Sequence, residues 1–325
     1  MPQSRIDRHA RRGVRCRGGD GGRRPRGDER DYEPSTDWGA SLKPASFTYH
    51  APEQLDEVAR LLAEHGDDAK PLAGGQSLVP ILSLRLASFA HLIDLNRVAG
   101  LDTIERRNGH LRIGAMVRQS TAEHNTAVAT DAPLVAKALP LIGHFQIRNR
   151  GTVGGSVAHA DPASELPAVA LALDATIEAT RVDGTRRIPA GEFFVSTWET
   201  SLADGEILSA VEFPVWEGSS GFAVEELARR HGDFALAGTA VGVQLEGATV
   251  VKAAIAMFGV AGTPVRCADA EAAWLSGADP AEVGRVAANG ISPSGDVHAS
   301  GAYRQQVAAV IVRRAVQAAM KEARS

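Results

Sequence analysis

Ala73-Gly74-Gly75-Gln76-Ser77-Leu78-Val79-Pro80 and Arg150-Gly151-Thr152-Val153-Gly154-Gly155-Ser156 are the stretches on which the reading of this chain turns. Each joins consecutive glycines to hydroxyl residues. Paired glycines let the backbone take positive φ and approach a ligand closely. Successive N–H groups then point into one concavity, a nest suited to phosphate oxygens. A helix beginning after the first run adds its N-terminal dipole, and Ser77, Thr152 and Ser156 add hydroxyl donors. Neither run contains the lysine of a GxxxxGK[ST] loop, and neither has the GxGxxG spacing of a dinucleotide fingerprint. One such run alone reads most simply as a tight turn. Two, each leading to an apolar helix, point to one pyrophosphate gripped from two sides.

Working outward, Pro52-Glu53-Gln54 opens a helix whose Leu55, Val58, Leu61 and Leu62 share one face and which stops at Gly66. Lys70 to Ala73 reads as a strand into the first run. A helix with Leu78, Ile81, Leu82 and Leu84 follows, then a strand at His91 to Leu95. Asn108-Gly109 marks a hairpin between Leu101–Glu105 and His110–Ala115. A helical stretch around Leu134 to Leu141 precedes the second run. Pro162 to Leu173 reads as a helix with Asp161 as its N-cap. Thr176–Thr180 and Arg186–Ile188 form a second hairpin at Asp183-Gly184, and Glu206 to Pro214 is a strand. A boundary falls at Trp216 to Gly221. Beyond it lie two long strands, Leu236–Leu245 and Thr249–Val260, two helical segments, and an alanine-rich helix from Tyr303 to about Ala323. Strands followed by helices predict a terminal α+β domain.

The composition narrows the chemistry. Of 325 residues, 44% are hydrophobic and 23% charged, as in an ordinary globular enzyme, and the net charge of −4 argues against a nucleic-acid binder. No apolar run is long enough to cross a bilayer, so a cytoplasmic location is expected. Two cysteines, Cys16 and Cys267, supply neither a disulfide framework nor an iron–sulfur cluster, and the histidines show no zinc-site spacing. Metal-based redox chemistry is therefore expected on a partner chain. Residues 1–41 are rich in Arg and Gly and poor in apolar residues, and are expected to be a disordered, dispensable tail rather than a nucleic-acid arm.

The two runs, together with Ala158-His159-Ala160-Asp161-Pro162, Arg229-Arg230-His231-Gly232-Asp233-Phe234-Ala235 and Asp296-Val297-His298 leading to Tyr303-Arg304, resemble the FAD-binding medium subunit of the molybdenum hydroxylase family, of carbon monoxide dehydrogenase/xanthine dehydrogenase type. The resemblance spans roughly residues 44 to 322. It implies an α+β fold: a two-lobed FAD-binding domain of vanillyl-alcohol-oxidase (PCMH) type, with lobes over 42–98 and 99–217, then a C-terminal α+β domain over 218–325. It implies FAD extended between the lobes, contacted by Ala73, Gly74, Gly75, Gln76, Ser77 and Leu78 of the first run and by Thr152, Gly154, Gly155 and Ser156 of the second. Glu165 would accept hydrogen bonds from the nucleotide part, and Ile207 or Leu208 would lie near the flavin ring. A lysine of the family pattern is replaced here by Glu225, leaving Arg229 or Arg230 to supply positive charge.

The partners implied are a small subunit with [2Fe–2S] clusters and a large molybdenum-cofactor subunit in a heterotrimer. Electrons would pass from the clusters to FAD and on to NAD, quinone, oxygen or another acceptor. No catalytic residue and no metal ligand is expected on this chain; His159, Asp161, His231 and Asp233 read as structural. Two alternatives compete. One is a self-sufficient flavin oxidase, which needs its own substrate cavity; the C-terminal elements read as too short to build one. The other is a nucleotide-binding regulatory protein without redox activity.

Overall fold

The computed structural model describes residues 43–325. The expected Arg/Gly-rich tail lies outside the described residues.

The N-terminal part is a three-stranded parallel sheet in the order Thr48–His50, His91–Asp94, Ala69–Leu72. The helix Leu55–His65 packs Val58, Ala59 and Leu62 inward, as its periodicity predicts, and ends where Gly66 takes φ +50°. Val58 and Leu62 join Ile93, Leu95, Val98 and Leu101 in a small core. Thr48–His50 is a strand that the sequence reading did not anticipate. It is only three residues long, too short for alternation to register.

The second part is a five-stranded antiparallel sheet in the order Ile104–Arg107, His110–Gly114, Ile207–Pro214, Thr176–Arg181, Gly184–Pro189. Asn108 and Gly109 both have positive φ, 50° and 75°, as a two-residue hairpin turn requires. One face of the sheet is apolar, with Leu111, Ile113, Ile177, Val211 and Phe213 under short helices. The other carries a charge ladder. Glu178 and Glu212, on neighbouring strands, accept from Arg107, Arg112 and Arg187. Burial alone would raise the Glu212 carboxyl, but its arginine hydrogen bonds outweigh that and hold it at about 2.

The C-terminal part is a four-stranded antiparallel sheet, Ser219–Ala228, Ala235–Glu246, Thr249–Phe258 and Val265–Arg266. One face holds the helices Ala268–Leu275, Pro280–Asn289 and Gly301–Ala323. The strand Ser219–Ala228, which the sequence did not suggest, begins within the boundary expected at Trp216 to Gly221. Gly221 is not a turn glycine: a Cβ there would lie 2.6 Å from the Ala323 nitrogen, so its absence lets the long helix press onto the strand.

The helix Glu165–Ala172 joins the second sheet to the third. It has almost no polar face, and Leu166, Ala168, Val169, Ala170 and Ala172 are fully buried. An all-round apolar helix must be covered on every side. Here it packs beneath the antiparallel sheet and against the strands of the C-terminal sheet, Ala240, Ala254 and Phe258 sharing its core. It starts at Glu165 with Ser164 as N-cap, three residues later than expected. Asp161 instead closes a local turn, accepting from the Ala163 N–H at 2.9 Å and the Trp198 indole at 3.1 Å. Among the described residues no helix is long and apolar enough to cross a membrane.

Candidate functional site

The strand Ala69–Leu72 runs directly into the first glycine run. Gly75 has φ +74°, so glycine is required there by backbone conformation. Gly74 serves a different need: a Cβ would press on the Arg150 carbonyl and lie 2.8 Å from the Gly151 Cα. The two runs therefore touch backbone to backbone. Gln76 Nε2 folds back to donate to the Gly74 carbonyl at 3.1 Å. Among the described residues the N–H groups of Gly74, Gly75, Gln76 and Ser77 have no acceptor in the chain. Leu78 then opens a short helix, Leu78–Ser83.

The second run is built otherwise, which corrects the expectation of two matching nests. Val153–His159 is a helix and the glycines lie in its first turn; neither has positive φ. Thr152 is the N-cap, its Oγ1 accepting from the Gly155 N–H at 3.0 Å. The N–H groups of Val153, Gly154 and Ser156 bond to the carbonyls of Val117, Ala115 and Thr152. No backbone donor from Val153 to Ser156 is left over. The glycines are there for space. A Cβ on Gly154 would lie 2.5 Å from Ala115 Cα, and one on Gly155 2.7 Å from Thr152 Oγ1 and 3.2 Å from Ala73 Cβ. Ala73 and Gly155 thus face each other across the junction. The hydroxyls of Ser77 and Ser156, both half-buried, have no hydrogen-bond partner among the described residues.

Two residues that the sequence reading missed pin the runs together. Asn96 Nδ2 donates to the Ala73 carbonyl at 3.2 Å. Arg118 donates to both the Asn96 side-chain oxygen and the Arg150 carbonyl. Burial lowers the Arg118 pKa, with nearby Arg150 adding to the effect. The partners of Arg118 are a carbonyl and an amide far away in sequence, which no spacing pattern reveals.

The remaining candidates are more scattered. Glu165 is buried in the first turn of its helix, and burial raises its pKa to about 8, with Glu226 and Asp161 adding to the effect. Glu226 is itself raised to about 7 by burial. One oxygen of Glu226 is buried and unpaired. Ile207 and Leu208 are buried on opposite faces of one strand, Ile207 in the first core and Leu208 in the second. Arg229 and Arg230 both pair with Asp233 at 3.3 Å, and His231 leans on His144, ring centroids 5.8 Å apart. His159 is stacked on Trp198, and burial lowers its pKa.

A cleft of about 590 Å³ is lined by Asp161, Trp198, Arg229, Phe234, Asp296 and Arg304. Ion pairs line this cleft. Asp296 accepts from Arg304 at 2.6 Å, and backbone N–H groups of His298 and Ala299 help hold the Asp296 carboxyl at about 2.

A glycine loop with four unpartnered N–H groups, packed closely against a glycine-bearing helix start and flanked by two unpartnered hydroxyls, fits a bound pyrophosphate. The geometry thus suits a ligand that carries a pyrophosphate, such as a dinucleotide. Family comparisons agree: residues 45–216 match the FAD binding domain in molybdopterin dehydrogenase, and residues 222–319 match the CO dehydrogenase flavoprotein C-terminal domain. The chain is 41% identical, over 87% of its length and 97% of the relative's, to the 6-hydroxypseudooxynicotine dehydrogenase complex subunit alpha of Paenarthrobacter nicotinovorans. It is 37% identical to the carbon monoxide dehydrogenase medium chain of Hydrogenophaga pseudoflava, over 85% of this chain and 98% of that one. A solved structure of carbon monoxide dehydrogenase from that organism superposes with a TM-score of 0.83 at 38% identity, covering 86% of this chain and 99% of the other. Quinoline 2-oxidoreductase from Pseudomonas putida 86 gives 0.81 at 34%, covering 87% and 100%. The chain belongs to the FAD-binding medium subunits of the molybdenum hydroxylase family. It is an FAD-binding oxidoreductase subunit with the two-domain fold that the resemblance implied.

Proposed function

We propose that the chain passes electrons from the [2Fe–2S] clusters of a small partner subunit through FAD to an external acceptor, the substrate being oxidised on a large molybdenum-cofactor subunit. The observation that carries this reading is the junction of the two glycine runs, pinned by Asn96 and Arg118 and furnished with unused donors. Bound FAD supplies the redox chemistry; the protein supplies position and electrostatics. The backbone N–H groups of Gly74 to Ser77 and the Ser77 and Ser156 hydroxyls hold the pyrophosphate. Ala73, Leu78, Thr152, Gly154 and Gly155 shape the wall against it. Glu165, at the start of its helix, takes ribose hydroxyls; burial raises its pKa to about 8. Ile207 and Leu208 set the strand that backs the flavin end.

The test is turnover by the purified single chain. It is expected to be yellow, reducible by dithionite and reoxidised by an acceptor dye. It is expected to be inactive on aldehydes, purines and carbon monoxide until the small and large subunits are added. Substrate oxidation by the chain alone would instead favour a self-sufficient flavin oxidase. Purification without flavin, and no uptake on adding FAD, would favour a non-redox nucleotide-binding role.

A further inference from the structure

Away from the glycine runs, three histidines from three elements meet in the first lobe. His50 ends the strand Thr48–His50, His65 ends the helix Leu55–His65, and His91 begins the central strand. Parallel pairing of Thr48 and Ala69 with His91 sets the strands level, and the helix returns its last residue to the same place. His50 Nε2 lies 2.9 Å from His91 Nδ1. The rings of His65 and His91 stack with centroids 3.7 Å apart, and the His50 ring is 5.5 Å from His65 and 5.2 Å from His91. One ring nitrogen from each lies within 4.8 Å of the others. All three side chains are half-buried. Among the described residues, the His50–His91 contact is the only hydrogen bond these rings make, and no carboxylate pairs with any of them.

We propose that His50, His65 and His91 form a binding site for one divalent transition-metal cation, Zn²⁺ by preference. Imidazole nitrogens suit zinc and its first-row neighbours, whereas calcium and magnesium require oxygen ligands. Zn–N bonds of about 2.0–2.1 Å in a tetrahedron put ligand nitrogens about 3.3 Å apart. The cluster therefore closes on an ion by side-chain rotation on the order of 1–1.5 Å, the stacked pair tilting open. The His50–His91 hydrogen bond is given up: the nitrogen that donates in it passes its proton, through solvent, to the other nitrogen of its own ring, and both nitrogens then offer lone pairs to the ion. Water completes the fourth position. The ion lies at the N-terminal end of the central strand, whereas the glycine run leaves the C-terminal end of Ala69–Leu72. Its role is to tie the three-residue edge strand and the helix end to the middle of the sheet.

The experiment uses the full, tag-free chain with its FAD, freed of metal by chelator and dialysis, and titrated calorimetrically with Zn²⁺. One equivalent is expected to bind and to raise the melting temperature. His65→Ala and His91→Gln are each expected to weaken binding by about tenfold or more and to abolish the thermal shift. His124→Ala, an exposed histidine elsewhere, leaves binding unchanged. Flavin absorbance per protein reports that each variant is folded. No saturable binding, or binding indifferent to both His65→Ala and His91→Gln, overturns the proposal.

Discussion

The two glycine runs look alike in sequence and work differently in the fold. In the first, glycine answers a conformational demand at Gly75 and leaves a row of N–H groups without partners. In the second, glycine answers a demand for space, and the N–H groups are spent within the chain. One run is a donor surface and the other a wall. A Gly-Gly pair thus signals close approach in both places, but it does not say whether backbone dihedrals or missing side-chain volume make the approach possible.

Substitutions can break this contrast. The largest effect is expected from Gly154→Val. Its side chain would collide with the backbone of Ala115, an overpacking that costs about 3 kcal/mol or more. Thermal melting should fall by roughly 6–12 °C, with flavin lost as a consequence. An unchanged melt would mean that the helix start is not packed as described.

Gly75→Val and Gly155→Val should spare more of the fold and strike binding. The first is forced into positive φ within reach of Val79; the second intrudes on Thr152 and Ala73. Each is expected to weaken FAD binding about a hundredfold, equivalent to about 2.7 kcal/mol, by fluorescence titration. Gly75→Asn should bind better than Gly75→Ala, because Asn tolerates the left-handed region, whereas the same pair at Gly155 should show no such order. If Asn and Ala rank alike at Gly75, the conformational account of the first run is wrong.

A smaller effect separates cap from hydroxyl. Thr152→Ala removes the N-cap and should cost about 1 kcal/mol, a drop of about 2–4 °C in melting temperature. Thr152→Ser should recover most of it. Equal melting of both variants and the parent would show that the cap bears no load.

The smallest effect is a pH dependence at Glu226, on the strand Ser219–Ala228. Burial raises Glu226 from its ordinary value to about 7, so the folded chain holds this proton where the unfolded chain has released it. The native state then binds more protons between the two values, and stability falls as pH rises through that window. Glu226→Gln should accordingly gain on the parent between pH 5 and pH 8. The gain should be about 2 °C at most, because the part-exposed group is screened by solvent. A constant difference across that range would show that Glu226 does not titrate as its surroundings imply.

Much of the fold was legible because its signals are local. The hairpin at Asn108-Gly109 and the long helix ending near Ala323 follow from turn chemistry and periodicity. What was missed is non-local. The start of the strand Ser219–Ala228 lies in the stretch Trp216 to Gly221 that read only as a domain boundary; the reason for Gly221 is a helix a hundred residues away. The site shows the same division. Gly74 to Ser77 announce themselves, whereas Asn96 and Arg118 act through carbonyls that only the assembled fold brings near. The histidines at 50, 65 and 91 match no ligand spacing, because a parallel sheet and a helix end gather them.

The charge ladder on the five-stranded sheet bears on the life of the chain before it meets any partner. Both outermost strands, Ile104–Arg107 and Gly184–Pro189, carry adjacent arginines: Arg106 and Arg107 on one, Arg186 and Arg187 on the other. An unprotected sheet edge invites strands from other molecules, and charged side chains there discourage it. In the folded chain these arginines are engaged by Asp131, Glu178, Glu206 and Glu212. A stray strand seeking to extend the sheet would have to pull them from those carboxylates or lie beside them unpaired. The ladder therefore acts as a guard against aggregation at the two rims, most valuable while a subunit made for a larger assembly is still alone.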